Sequence, residues 1–149
     1  MFQRILVPTN GSRGSRNAMQ TALALANLAG AEVVVVHVVA PPVHEVVYTG
    51  LGVIGSPVPL DSPNDDVPAE RDRPLNEARR AAEKAGVVIE PRQLRAPQTA
   101  IAILDLADRE ACDLIVMASD GYGSLLSLIT GSITARVVSG CDLPVLVVH

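Results

Sequence analysis

Tryptophan is absent from this chain of 149 residues, and its aromatic residues are only Phe2, Tyr48 and Tyr122. Proteins that hold single-stranded nucleic acid stack bases on aromatic platforms, so that class is excluded. A formal net charge of −4 and a pI near 5.3 remove duplex binders as well. Such proteins need a basic footprint to displace counterions. Cysteine is scarce: Cys112 and Cys141 are too few and too far apart for a disulfide framework or a zinc site. They read as small buried thiols of a reducing compartment. Long hydrophobic runs are missing too. The most apolar segment, Val33 to Ala40, contains His37 and is far too short to span a bilayer. The opening run, Ile5-Leu6-Val7-Pro8, is too short for the core of a signal peptide. The expectation is a cytoplasmic protein with neither membrane nor nucleic acid as partner. Charged residues make up 19% and hydrophobic ones 48%, which excludes global disorder.

What the chain does have is alternation. Ile5-Leu6-Val7, Val33 to Val39, Val87 to Leu94, Leu114 to Ala118 and Val145 to Val148 are short, β-branched runs with little polar interruption. That pattern suits strands covered on both faces, as in a parallel sheet. Pro91 marks the third run as an edge strand. Helical spacing appears between the runs. From Gly14 to Leu28 it sets Ala18, Ala22, Leu25, Ala26 and Ala29 on one stripe, with Gly30 placed to end the helix. Further helices are expected over Ala69–Ala85, with Leu75, Ala78, Ala81 and Ala82 inward, over Thr99–Arg109, and from about Ser132 to Ser139. Strands alternating with helices define one α/β domain over residues 1–149. Six of the eleven prolines fall between Pro41 and Pro68, so residues 41–68 read as a long loop.

In an open parallel sheet, ligands bind beyond the carboxyl ends of the strands, where the strand order reverses. Three loops qualify: Pro8 to Ser12, Ala96-Pro97, and Ser119 to Ser132. The third is rich in glycine. Gly121 and Gly131 let backbone approach a ligand closely, and Ser132 stands at a helix start. There the amides of Ser132, Ile133 and Thr134 would face an anion with the positive end of the helix dipole behind them. The plainer alternative is that these glycines only make turns and Ser132 only caps.

The residues Ile5-Leu6-Val7-Pro8-Thr9-Asn10-Gly11-Ser12, Val36-His37-Val38, and Asp113 through Gly121, then Gly131-Ser132 to Leu143-Pro144-Val145-Leu146-Val147-Val148, carry a resemblance. Along nearly its whole length the chain resembles the universal stress protein family. The resemblance implies a Rossmann-like, adenine nucleotide alpha hydrolase-like fold: an open five-stranded parallel sheet, strand order 3-2-1-4-5, with helices on both faces. It also implies an adenine nucleotide, ATP or AMP, with Mg accompanying ATP. By similarity Pro8, Thr9 and Asn10 line the adenosine end, Val38 and Met117 form its apolar walls, and Ala118, Ser119, Gly121, Gly131, Ser132 and Ile133 surround the phosphates. The family's glycine motif runs Gly, two residues, Gly, nine residues, then Gly with Ser or Thr. Here Ala118 replaces the first glycine, Asn10 stands where Asp is usual, and Tyr122 stands where Arg or Lys is common. Asp120 beside Gly121 adds repulsion toward a triphosphate. The expectation is a nucleotide site of retained geometry and weakened phosphate electrostatics in a stress-response module that acts by nucleotide-dependent interaction. The alternative is an interaction protein of the same fold whose site is degenerate. The resemblance further implies a homodimer through the last strand, Val145 to Val148.

Catalysis has little support. The sequence has no nucleophile elbow, zinc-ligand pair or phosphate-loop lysine. Slow ATP hydrolysis needs a water-activating base that no residue pattern reveals. Autophosphorylation, found in some of the resembled family, would fall on Ser132 or Ser124. A phosphorelay receiver requires acidic residues after strand one, where this chain has Pro-Thr-Asn. His37 reads as a hydrogen-bonded core histidine. Arg71, Arg73, Arg79, Arg80 and Lys84, with Glu70, Asp72, Glu77 and Glu83, read as a mixed-charge solvated helix face.

Overall fold

Residues 1–39, 73–119 and 133–149 are described by the structure, a computed structural model. Five strands, β1 (Arg4–Pro8), β2 (Glu32–Val39), β3 (Ile89–Arg95), β4 (Leu114–Ala118) and β5 (Val145–Val148), pair in parallel. Their order is β3-β2-β1-β4-β5, as expected. The helices among the described residues are α1 (Arg13–Ala29), α2 (Arg73–Ala85), α3 (Thr99–Arg109) and α4 (Ile133–Ser139). The expected loop over 41–68 and the first turn of the expected helix, residues 69–72, lie outside the described residues.

Alternation of side chains along each strand builds two core layers. Ile5, Val7, Val33, Val35, Leu114 and Val116 face α1 and α2. Leu6, Val34, Val36, Ile115 and Met117 face α3 and α4. Both faces of the central strands are covered, which is why Ile5–Val7, Val33–Val36 and Leu114–Ala118 carry no polar residue. Pro91 of β3 pairs with Val35 of β2, and β3 is an edge strand, as its proline requires.

The helical stripes differ in detail from their expected form. On α1, Met19 and Leu23 are buried with Ala18, Ala22 and Ala26, while Leu25 and Ala29 are half-buried. The helix packs across several strands of the sheet, with β4 and β1 foremost, so its buried arc is shifted and wider than one alanine row. It ends at Gly30, whose φ of 67° is the left-handed conformation that lets the chain turn into β2. Leu75, Ala78 and Ala82 of α2 are buried and Ala81 is half-buried. Ile101 of α3 is 51% exposed. Cys112 is buried, and burial pushes its thiol up to about 11. Cys141 is only half-buried, in the turn after α4, where its sulfur accepts the Leu143 amide at 3.3 Å.

A charged lattice closes the amino-terminal edge of the sheet. Arg4 on β1 donates to Glu32 on β2, to Glu90 on β3 at 3.0 Å, and to Glu110 after α3 at 2.8 Å. Arg92 reaches the same Glu90 at 2.7 Å and Glu110 at 2.8 Å. Asp113 receives the amides of Gln3 at 2.7 Å and Arg4 at 3.0 Å, tying the start of β1 to the entry of β4. Among the described residues, no helix is long and apolar enough to cross a membrane.

Candidate functional site

β1 and β4 are neighbours at the centre of the sheet, and the described helices downstream of them lie on opposite faces. After β1 the chain enters α1 on one face, and the helix α4 downstream of β4 lies on the other. Their carboxyl ends therefore form the switch point at which such sheets bind ligands.

The turn after β1 is built from small polar residues that hold one another. Thr9 is buried, and its amide donates to Val36 at 2.8 Å, fixing the turn against β2. Its hydroxyl donates to Ser15 at 3.2 Å and accepts the Gly11 amide at 3.4 Å. Ser12 caps α1 by accepting the Ser15 amide at 3.2 Å, and the buried Ser15 hydroxyl returns a bond to the Ser12 carbonyl at 3.0 Å. Asn10 is exposed, and its side-chain oxygen accepts the Ser12 amide at 3.0 Å. The oxygen is thus engaged in shaping the turn, which leaves the Asn10 NH2 to face outward as a donor. Arg16 donates to the Gly11 carbonyl at 2.6 Å and bridges to Glu77 of α2 at 3.5 Å.

The end of β4 is pinned from two sides. Ala118 accepts a hydrogen bond from the Thr134 hydroxyl of α4 at 2.8 Å, and the Ser119 amide donates to Val148 at 2.8 Å. The Ala118 methyl is turned toward α1. A Cβ placed on Gly14 would stand 3.2 Å from it. The glycine that the motif lacks at position 118 is matched by one on the facing helix.

Pro8, Thr9, Asn10, Ala118 and Ser119 therefore lie at or just beyond the carboxyl ends of two adjacent strands. Val38 is half-buried nearby on β2. Met117 is 4% exposed and packs with Leu6, Val36 and Val137 in the α3-side core, so it offers a ligand very little surface. Ile133 opens α4 and is 40% exposed. Gly121, Gly131 and Ser132 lie outside the described residues, as do Asp120, Tyr122 and Ser124. The sequence reading missed Gly14 and Ser15, and it named Thr134 for its amide but not for the hydroxyl that holds the Ala118 carbonyl. A serine and a threonine at apolar helical positions were the signal available for the last two. Among the described residues, no group of three His, Cys, Asp or Glu side chains is placed to hold a metal ion.

Comparison with known proteins gives this architecture its lineage. The profile described as the universal stress protein family matches residues 1–149. The chain belongs to the universal stress protein family. A universal stress protein of Thermus aquaticus, named for its place in the QAH/OAS sulfhydrylase 3′ region, is 34% identical over 151 residues, covering 100% of both chains. Universal stress protein MJ0531 of Methanocaldococcus jannaschii is 31% identical over 149 residues, covering 99% of this chain and 82% of its own. Among solved structures, a universal stress protein in complex with cAMP superposes with a TM-score of 0.74 at 24% identity, covering 99% of this chain and 97% of its own. The Archaeoglobus fulgidus universal stress protein in complex with dAMP gives 0.68 at 21%, covering 99% and 98%. An Arabidopsis thaliana member with AMP bound gives 0.64 at 17%, covering 97% and 90%. These likenesses establish the fold that the universal stress protein sequence implies.

Proposed function

We propose that this universal stress protein binds an adenine nucleotide, AMP or ATP, across the carboxyl ends of β1 and β4, and acts through nucleotide-dependent interaction with other proteins. The observation that carries the reading is the β1–β4 switch point, with Pro8, Thr9 and Asn10 at the carboxyl end of one strand and Ala118 and Ser119 at that of its neighbour. Its support from relatives is that three proteins of the same fold hold cAMP, dAMP and AMP.

In this reading the adenosine lies against Pro8, Thr9, Asn10 and Val38, with Met117 as a thin apolar floor. The outward NH2 of Asn10 donates to a ribose or adenine acceptor. The phosphates lie toward Ala118, Ser119 and the start of α4, with Gly121, Gly131, Ser132 and Ile133 around them. With Asn10 carrying no charge and no lysine or arginine after Gly121, the site holds a monophosphate with little penalty relative to a triphosphate. When ATP binds, Mg arrives on its phosphates.

Calorimetric titration tests this directly. AMP, and ATP with Mg, are expected to bind with submillimolar Kd, raising the melting temperature with the logarithm of ligand concentration once it exceeds Kd. No heat and no thermal shift at millimolar AMP, ADP and ATP would leave the degenerate, nucleotide-free reading in its place.

The same proposal includes a homodimer through β5. That strand lies at the sheet edge with Leu146 37% exposed, and an open apolar edge favours pairing. Sedimentation equilibrium at micromolar concentration is expected to give the mass of two chains. A single-chain mass throughout that range removes the dimer.

A further inference from the structure

Away from the nucleotide opening, α1 and α2 enclose a groove of about 800 Å³. Its long axis follows α2 from Arg73 to Lys84, eleven residue steps, or about 16 Å at the helical rise. Arg16, Arg73, Arg80 and Lys84 line it against a single carboxylate, Glu77. Glu77 is shared by Arg73 at 2.9 Å and Arg16 at 3.5 Å. Arg80 and Lys84 make no ion pair with any described residue. The facing wall adds no negative charge, because α1 contains no Asp or Glu. Between the walls, Leu23, Ala24, Ala81 and Ala85 give an apolar floor.

The charges of α2 are therefore sorted rather than mixed. Cations are concentrated along one groove of a protein whose net charge is −4. A lone phosphate would be held by cations converging on one point, whereas these are spread along two helical turns and more. Spaced carboxylates on a chain, with small apolar residues between them, complement both the spread of charge and the floor. Arg16 also holds the Gly11 carbonyl at 2.6 Å, so one guanidinium joins the groove to the turn after β1.

We propose that the α1–α2 groove is a docking site for an acidic peptide segment of a partner protein. The probe is a short fluoresceinated peptide in which glutamates recur every fourth residue among leucines and alanines, read by anisotropy with the full chain. Saturable micromolar binding is expected, weakening at least about tenfold between about 50 mM and about 300 mM salt. R80E/K84E is expected to weaken it at least about tenfold, and R80Q/K84Q by an intermediate factor. The glutamine pair carries the test should the charge reversal unfold the protein, which circular dichroism will show. R109E/R136E places the same charge change on exposed positions of α3 and α4 and is expected to stay within about twofold of wild type. A matching lysine peptide is expected not to bind.

Three results would overturn the proposal. One is the absence of saturable binding by the wild-type chain. Another is an equal loss in R109E/R136E, which would mean nonspecific attraction. The third is binding that appears only after Asp61, Asp65, Asp66, Glu70 and Asp72 are replaced by their amides, which would make the chain's own acidic stretch the occupant.

Discussion

Gly14→Val is expected to destabilise the protein by about 2–3 kcal/mol and to weaken adenine nucleotide binding more than about tenfold. The cause is distance. A Cβ at position 14 would already stand 3.2 Å from the Ala118 methyl and 3.8 Å from the Ser119 carbonyl oxygen. Carbon atoms in good contact are separated by about 3.5–4.0 Å. Valine adds two further methyls at that point. Ala118 cannot retreat, because Thr134 holds its carbonyl at 2.8 Å and the Ser119 amide is bound to Val148 at 2.8 Å. The first turn of α1 must move instead. It carries Ser15, so the Thr9–Ser15 bond and the turn at Asn10 move with it. Gly14→Ala is the milder case, since up to about 1 kcal/mol of helix propensity offsets the crowding. Combining it with Ala118→Gly removes the facing methyl, so the two changes should couple favourably by about 1 kcal/mol in a double-mutant cycle. Denaturant unfolding and calorimetry on the four proteins check this. Strict additivity would mean that the two residues do not meet.

This contact also marks how far the sequence could be read. Periodicity within a segment reveals which residues share a face, and it placed five strands, the helices and the edge proline Pro91. The strand order and the family followed from motifs at the strand ends. Gly14 escaped because its reason for being glycine lies on β4, more than a hundred residues along the chain. The same holds for Arg4, whose partners Glu90 and Glu110 are 86 and 106 residues away. No local pattern connects them. The charges of α2 were read as a solvated face for a related reason. A helix alone cannot show which of its cations a neighbouring helix will enclose. Asn10 was legible as a hydrogen-bonding residue. Only the turn geometry shows that Ser12 already occupies its oxygen, leaving the amide group outward.

Arg4→Met should expose what the edge lattice contributes, through the pH dependence of unfolding. In the folded protein the guanidiniums of Arg4 and Arg92 hold the Glu90 carboxyl below the ordinary carboxylate range. Glu110 is held down by the same pair, with Arg92 the larger influence. A carboxyl whose pKa is lowered by folding stabilises the folded state above its unfolded value, about 4.5. That contribution disappears as pH falls through the folded value. Removing Arg4 leaves Glu90 and Glu110 with Arg92 as their remaining guanidinium, so the folded pKa values of these two carboxyls climb back toward normal. The variant is then expected to melt about 5 °C lower at pH 7, a modest figure because Arg4 and Glu110 each keep a fifth of their side-chain surface in water. Its acid unfolding midpoint should move to higher pH. The gap between variant and wild type should begin to narrow as pH drops below the unfolded value and should close only once pH has fallen through the lowered folded values, where the carboxyls are protonated in both. High salt should narrow the gap at pH 7 as well, by screening the exposed part of the lattice. A gap that stays constant from pH 7 down to pH 3 would show that Arg4 acts through the packing of its hydrocarbon stem, not through its charge.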